Sequence, residues 1–247
     1  MIKIKKQTIL IKISGESLKS KDSIICKTQI QDLCNQIKKI HKLYNIGIVL
    51  GGGNIVRGAN TNNNLLSRTS ADIMGMLATE INSLALRDAL EANGLDVCLY
   101  SLIYMPTVAR PYDIFTARKA IAKGNIVIFA GGTGNPYFTT DSGVALRALE
   151  IDASFILMGK NDADGIYDSD PNKNTKAKRF SKISYDQIID NRLHAMDITA
   201  ASLLSESSVK IIVFNAKQKD CFLKALQNNI PTTIISKKEG KRFGYYI

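Results

Sequence analysis

The chain of 247 residues is 45% hydrophobic and carries 33 Lys and Arg against 22 Asp and Glu, a formal net charge of +11. That length suits one α/β domain with a substantial core, and no apolar run approaches the ~20 residues of a membrane span. Two His and four scattered Cys without a C-x-x-C pair argue against a zinc site, and the dispersed lysines lack the interleaved aromatics of a nucleic-acid stacking surface.

The first residues show no signal-peptide pattern, so a cytoplasmic location is expected, with no membrane and no nucleic-acid partner. Residues 8–13 read as a buried strand that runs into Ser14-Gly15-Glu16. Helical spacing follows over about 28–44, with Ile30, Leu33, Ile37, Ile40 and Tyr44 on one stripe. A second apolar strand at 46–50 leads at once into Gly51-Gly52-Gly53-Asn54-Ile55-Val56-Arg57-Gly58. A longer helix is expected over about 71–93, with a stripe of Met74, Leu77, Ile81, Leu84 and Leu90 and a stop at Gly94. Met76, Ala78, Ala85 and Leu86 lie beside that stripe, which is more apolar surface than a one-sided helix needs.

Strands at 96–100 and 125–129 bracket a helix near 113–123. The second of them ends in Gly131-Gly132-Thr133-Gly134-Asn135-Pro136-Tyr137-Phe138-Thr139-Thr140-Asp141-Ser142, the most informative segment of the chain. Glycines at a strand's carboxyl end let backbone N–H groups approach an anion closely, and the threonines add hydroxyl donors. An ordinary strand-to-helix turn needs one glycine and a cap; this loop has far more. Further strands are expected at 154–158 and 209–214 and helices near 196–205 and 218–227. Residues 168–182 form a polar surface excursion, and a strand at 232–235 closes the sheet.

Alternating strands and helices predict an α/β fold: one three-layer αβα sandwich around a mostly parallel sheet. Three strands then end in glycine and small polar residues, and ligands of open α/β sheets bind outside such carboxyl ends. A phosphate donor and a phosphate acceptor would lie there end to end. The P-loop pattern, the dinucleotide G-x-G-x-x-G after the first strand and the G-x-S-x-G elbow are all missing.

Taken in order, Lys12-Ile13-Ser14-Gly15-Glu16, Gly51-Gly52-Gly53-Asn54…Arg57-Gly58, Asp72…Met74-Gly75-Met76-Leu77-Ala78-Thr79, Gly132-Thr133-Gly134-Asn135-Pro136…Thr139-Thr140-Asp141, Asp164-Gly165-Ile166-Tyr167…Asp170-Pro171 and Met196-Asp197 resemble the bacterial UMP kinases of the amino-acid kinase superfamily. The resemblance spans about residues 9–235 and implies the reaction ATP + UMP → ADP + UDP with magnesium. It also implies a homohexamer, activated by GTP and inhibited by UTP. Magnesium would arrive with ATP, with no protein-held metal.

On that resemblance the acceptor side lies mainly in residues 1–150 and the ATP side mainly in 151–247. Lys12 would stabilise the transferring phosphoryl group, and Asp141 would orient Lys12 or a magnesium-bound water, or simply cap a helix. Arg57 would clamp the UMP phosphate, Gly52 and Gly53 would offer N–H donors at a following helix start, and Asp72 would bind the ribose. Thr133, Gly134, Asn135, Pro136, Tyr137, Phe138, Thr139 and Thr140 would line UMP. Lys12, Ser14, Gly15, Gly53, Asn161, Tyr167 and Asp170 would contact ATP, with core packing as the competing role for Tyr167. Two rivals stay open: a related kinase acting on a carboxylate or carbamate, and a nucleotide sensor without turnover.

Overall fold

The computed structural model describes residues 6–56, 66–193 and 195–237. The strands form where Ile, Val and Leu run uninterrupted, because both faces of a central parallel strand are buried. They are β1 (Thr8–Ile13), β2 (Asn45–Leu50), β3 (Val97–Ser101), β4 (Arg110–Pro111), β5 (Ile126–Ala130), β6 (Phe155–Lys160), β7 (Lys182–Ser184), β8 (Lys210–Asn215) and β9 (Thr232–Ser236). One sheet takes all nine in the order β4-β3-β5-β2-β1-β6-β8-β9-β7. Its pairings are parallel except β8 with β9.

The helices are α1 (Lys27–His41), α2 (Arg68–Ala92), α3 (Ile114–Ala122), α4 (Thr140–Glu150), α5 (Tyr185–Asp190), α6 (Ile198–Ser205) and α7 (Cys221–Leu226), with a 3₁₀ turn at Gly15–Leu18. Strand alternation splits the core in two. Ile9, Ile11 and Ile48 pack with Ile37, Leu86, Leu90 and Phe222 of α1, α2 and α7. Leu10, Val49 and Phe129 pack with Ala117, Ala148, Ile188 and Ala201 of α3 to α6. The result is the expected αβα sandwich. Among the described residues no helix is long and apolar enough to cross a membrane.

Two expectations need correction. The sheet does not close at β9, because β7 pairs outside it. Short elements account for that miss: β4, β7 and α5 span two, three and six residues, too few to show a period. The long helix also turns a partly different face inward. Of the expected stripe, Leu90 is buried and Leu84 packs against the core, but Met74, Leu77 and Ile81 are 39%, 40% and 48% exposed, whereas Met76, Ala78 and Leu86 beside the stripe are buried together with Thr79, Glu80, Asn82 and Ser83. Of these polar residues Thr79 and Asn82 bond loop backbone and Glu80 bonds Ser101, contacts that apolar spacing does not mark. Residues 168–182 form the expected surface excursion, in which Asp168 and Lys178 bond each other twice and Tyr167 bridges to Arg179.

Candidate active site

Because β5, β2, β1 and β6 are adjacent and parallel, their carboxyl ends open on one edge of the sheet. A crevice of about 1070 Å³ lies there. It gathers Lys12 and Ser14 from the end of β1, Asp141 from α4, and Asn161, Tyr167 and Asp170 from the segment after β6. Six of the expected residues thus meet in one place.

Lys12 stands near the end of β1, level with Val49 of β2 and Met158 of β6. Its Nζ donates to Asp141 Oδ1, and the two side chains are 22% and 17% exposed. Helix capping does not occupy Asp141. Thr139 is the cap of α4: its Oγ accepts from the N–H groups of Asp141 and Ser142 at 3.1 and 3.4 Å. Asp141 therefore sits in the first turn, where the helix dipole favours a carboxylate, and its side chain faces Lys12.

Lys160, at the end of β6, is a functional candidate that the sequence motifs did not single out. It lines the same crevice. Burial pulls its pKa below the ordinary lysine value, the positive charge of Lys12 adds to that, and Asp141 opposes it. Lys12, Lys160 and Asp141 thus lie close enough to affect one another, in a crevice that Glu16, Asp162, Asp168, Asp170 and Asp197 also line.

The loop between β5 and α4 has a backbone that its glycines make accessible. Gly131, Gly132 and Gly134 have φ of 80°, 62° and 76°, and Tyr137 joins them at 71°. A bulky residue in the left-handed region is costly and needs an external hold. Asp72 supplies one: its Oδ2 accepts from Tyr137 N at 2.8 Å, while Arg68 Nε donates to both carboxylate oxygens at 2.9 and 2.8 Å. The Arg68 guanidinium also lies 5.6 Å from the centroid of the Tyr137 ring. Thr133 and Asn135 bond each other within the loop, and Tyr137 and Phe138 are 67% and 49% exposed. Pro136 and Thr140 are half-buried in the same loop.

Asp197 ties this loop to the other half of the crevice. It caps α6 through Ala200 N at 2.7 Å, and its Oδ2 accepts from the hydroxyls of Thr139 and Ser142. Its motif was visible in the sequence, but an aspartate before a helix looks like a cap and nothing more. Tyr167 lies at the crevice rather than in the core. Half-buried, it lines the crevice while its hydroxyl donates to Asp164 at 2.6 Å; burial and then that bond raise its pKa.

The glycines after β2 behave differently from expectation. Gly52 opens a turn in which Ile55 N and Val56 N donate to its carbonyl, and the next helix among the described residues is α2, which does not start until Arg68. A Cβ on Gly52 would lie 2.7 Å from Gly75 O and 2.8 Å from Ala78 Cβ, so the residue serves close packing on α2. Gly15 likewise fits against Gly51 O and Gly53 N, at 2.8 and 3.0 Å from a Cβ placed on it. Neither Gly15 nor Gly53 lines the crevice. Arg57 lies outside the described residues.

Comparison with known proteins agrees with this fold. The family model "Amino acid kinase family" matches residues 7–215. The chain is 44% identical over 234 residues to a uridylate kinase of Malacoplasma penetrans (strain HF-2), covering 95% of this chain and 74% of that protein. With a uridylate kinase of Mycoplasmopsis synoviae (strain 53) it is 45% identical over 238 residues, covering 95% and 100%. The crystal structure of UMP kinase from Ureaplasma parvum superposes with a TM-score of 0.91 at 43% identity, covering 95% of this chain and 100% of that one. That of UMP kinase from Bacillus anthracis gives 0.89 at 32%, covering 94% and 97%.

Thr139 joins the cap of α4 to Asp197, so Thr139→Ala should lower unfolding stability by about 1–2 kcal/mol. Urea unfolding checks this, and Thr139→Ser, which keeps the oxygen, should recover most of the loss. Equal losses in both variants would assign the effect to the methyl group.

Proposed function

The chain belongs to the amino acid kinase family, and from that membership we propose that it phosphorylates UMP to UDP with MgATP, a step of pyrimidine nucleotide synthesis. The observation that carries this reading is the Lys12–Asp141 pair, set where the crevice meets the glycine loop. The names of the similar uridylate kinases support the choice of acceptor. In one domain, the acceptor side draws mainly on residues 1–150 and the donor side mainly on 151–247.

A UMP phosphate oxygen is already nucleophilic, so the protein needs no general base. Alignment and charge neutralisation do the work. Lys12 stabilises charge on the phosphoryl group in transit, and Asp141 holds its ammonium in place. Lys160 adds a second positive charge on the donor side. Ser14, Asn161, Tyr167 and Asp170, which line the crevice, hold ATP, with the Tyr167 ring beside the base.

On the acceptor side, Arg57 clamps the UMP phosphate, the fork of its guanidinium matching a phosphate dianion. Asp72 takes the ribose hydroxyls. A carboxylate has about four lone-pair positions, so it accepts them alongside Arg68 and Tyr137 N. Residues 133–140 close over the nucleotide.

Magnesium bound with ATP would neutralise charge on its phosphates. Among the described residues no group of three or more His, Cys, Asp or Glu is arranged to hold an ion. The carboxylates at the crevice mouth, Asp141 and Asp170, suit the water shell of a hard cation that arrives on a nucleotide.

We extend the reading to a homohexamer activated by GTP and inhibited by UTP. The exposed apolar stripe of Met74, Leu77 and Ile81, with Ile73 beside it at 41% exposure, is a surface that subunit contact would cover.

ADP release measured with UMP, CMP, carbamate and acetylglutamate as acceptors should show turnover with UMP. Lys12→Ala should lower kcat by about 10²–10³-fold with little effect on UMP affinity. Asp72→Asn should instead raise the KM for UMP by roughly 1.5–3 kcal/mol in free energy and leave that for ATP nearly unchanged. Full turnover in Lys12→Ala, or an ATP defect in Asp72→Asn, would reverse the placement of the substrates. Light scattering should find a hexamer; a stable monomer at working concentration would refute the assembly.

A further inference from the structure

Beneath the glycine loop, α2 presents buried polar side chains where a helix facing a core would carry apolar ones. Thr79, Glu80 and Ser83 are 4%, 3% and 0% exposed. Thr79 Oγ accepts from Gly131 N at 2.8 Å and donates to Met76 O at 2.6 Å. Glu80 lies under the same glycine. A Cβ on Gly131 would stand 3.0 Å from Glu80 Oε1, 3.1 Å from Ile103 N and 3.2 Å from Leu102 N. The carboxyl is therefore held between the start of the loop and the exit of β3. Its Oε2 is buried with no hydrogen-bond partner among the described residues. A buried, ionised carboxylate in that position would be costly.

Hydrogen bonding fixes the protonation state. Ser101 Oγ lies 2.5 Å from Glu80 Oε1 and 2.7 Å from Ile103 O, and it accepts from Ile103 N at 3.0 Å. A hydroxyl has a single proton, so Ser101 cannot donate to both oxygens. Both contacts are hydrogen bonds at once when Glu80 is protonated. Its O–H then donates to Ser101 Oγ, whose own proton goes to Ile103 O. Burial acts the same way, raising the Glu80 pKa above the usual carboxyl range against the opposing Ser101 bond.

We propose that Glu80, as a neutral carboxylic acid, is a positioning residue for the acceptor: through Ser101 it locks the turn at Ser101–Ile103 against which the glycine loop closes. The turn touches the loop at both ends. Leu102 N donates to Ala130 O at 3.1 Å, and a Cβ on Gly134 would meet Leu102 O at 3.2 Å. A turn freed from Glu80 gives the loop a second set of positions, and the Asp72–Tyr137 geometry is lost in part of the population. The inference rests on residues 133–140 binding the acceptor.

The test uses Glu80→Val, Ser101→Ala and Glu80→Gln in the full chain. Steady-state kinetics with UMP and ATP are read beside amide hydrogen exchange of residues 131–134 without ligand. Glu80→Val and Ser101→Ala should each raise the KM for UMP by about 5–20-fold, with kcat and the KM for ATP little changed. Both should speed exchange in the loop. Glu80→Gln, whose amide donates to Ser101 Oγ as the acid does, should keep both readouts close to those of the unsubstituted chain. Ser101→Ala adds no volume, so it serves if Glu80→Val does not fold. Unchanged exchange and unchanged UMP KM in the two disruptive variants would overturn the proposal, as would Glu80→Gln failing as badly as Glu80→Val. If the unsubstituted chain releases no ADP with UMP while exchange still responds, the acceptor assignment fails and the positioning role stands.

Discussion

The ion pair between Lys12 and Asp141 joins the central strand of the sheet to the helix that follows the glycine loop, and the rest of the site is arranged around it. Partly buried pairs contribute little net stability, because desolvation cancels most of the attraction. Its value lies in placement. A lysine alone at the end of β1 would sweep through its rotamers; anchored by a carboxylate in the first turn of α4, it is held where a phosphoryl group would pass between nucleotides. Lys160 at the end of β6 brings a second ammonium close to Lys12 and Asp141 in a crevice otherwise rich in carboxylates.

The same constraint explains the strained loop. To bring Asp141 under Lys12, the chain must turn sharply after β5, which it does with three left-handed glycines and then a left-handed Tyr137. That last conformation is disfavoured for a side chain of this kind. It persists because Asp72 accepts the Tyr137 amide, Arg68 braces Asp72, and Asp197 accepts from Thr139 on the opposite side. Glycine loop, crevice and ion pair are thereby tied together, with Asp197 as the link between α4 and α6.

Much of this was legible in the sequence, for identifiable reasons. The runs in β1, β2, β5, β6 and β8 are apolar throughout because both faces are covered, and the residues at their ends stand out as the only polar ones nearby. Lys12, Asp141 and the glycine loops were visible for that reason. The inward face of α2 was legible only in part. Its buried positions include Thr79 and Asn82, which bond loop backbone, and Glu80, which bonds Ser101, while Met74, Leu77 and Ile81 point outward, so apolar periodicity marked only part of the inward face, at Leu84 and Leu90. Arg68, Lys160 and Asp197 were missed as site residues because their roles depend on partners far away in the chain. Short β4, β7 and α5 carry no period at all.

A bisubstrate analogue that links adenosine to uridine through a polyphosphate chain tests the central claim most directly, since it must fill the crevice and the loop together. If donor and acceptor lie end to end across Lys12, the analogue competes with both ATP and UMP, and Lys12→Ala weakens its binding sharply while hardly altering that of uridine alone. Competition with only one of the two nucleotides, or binding indifferent to Lys12, would contradict a single crevice organised on the Lys12–Asp141 pair.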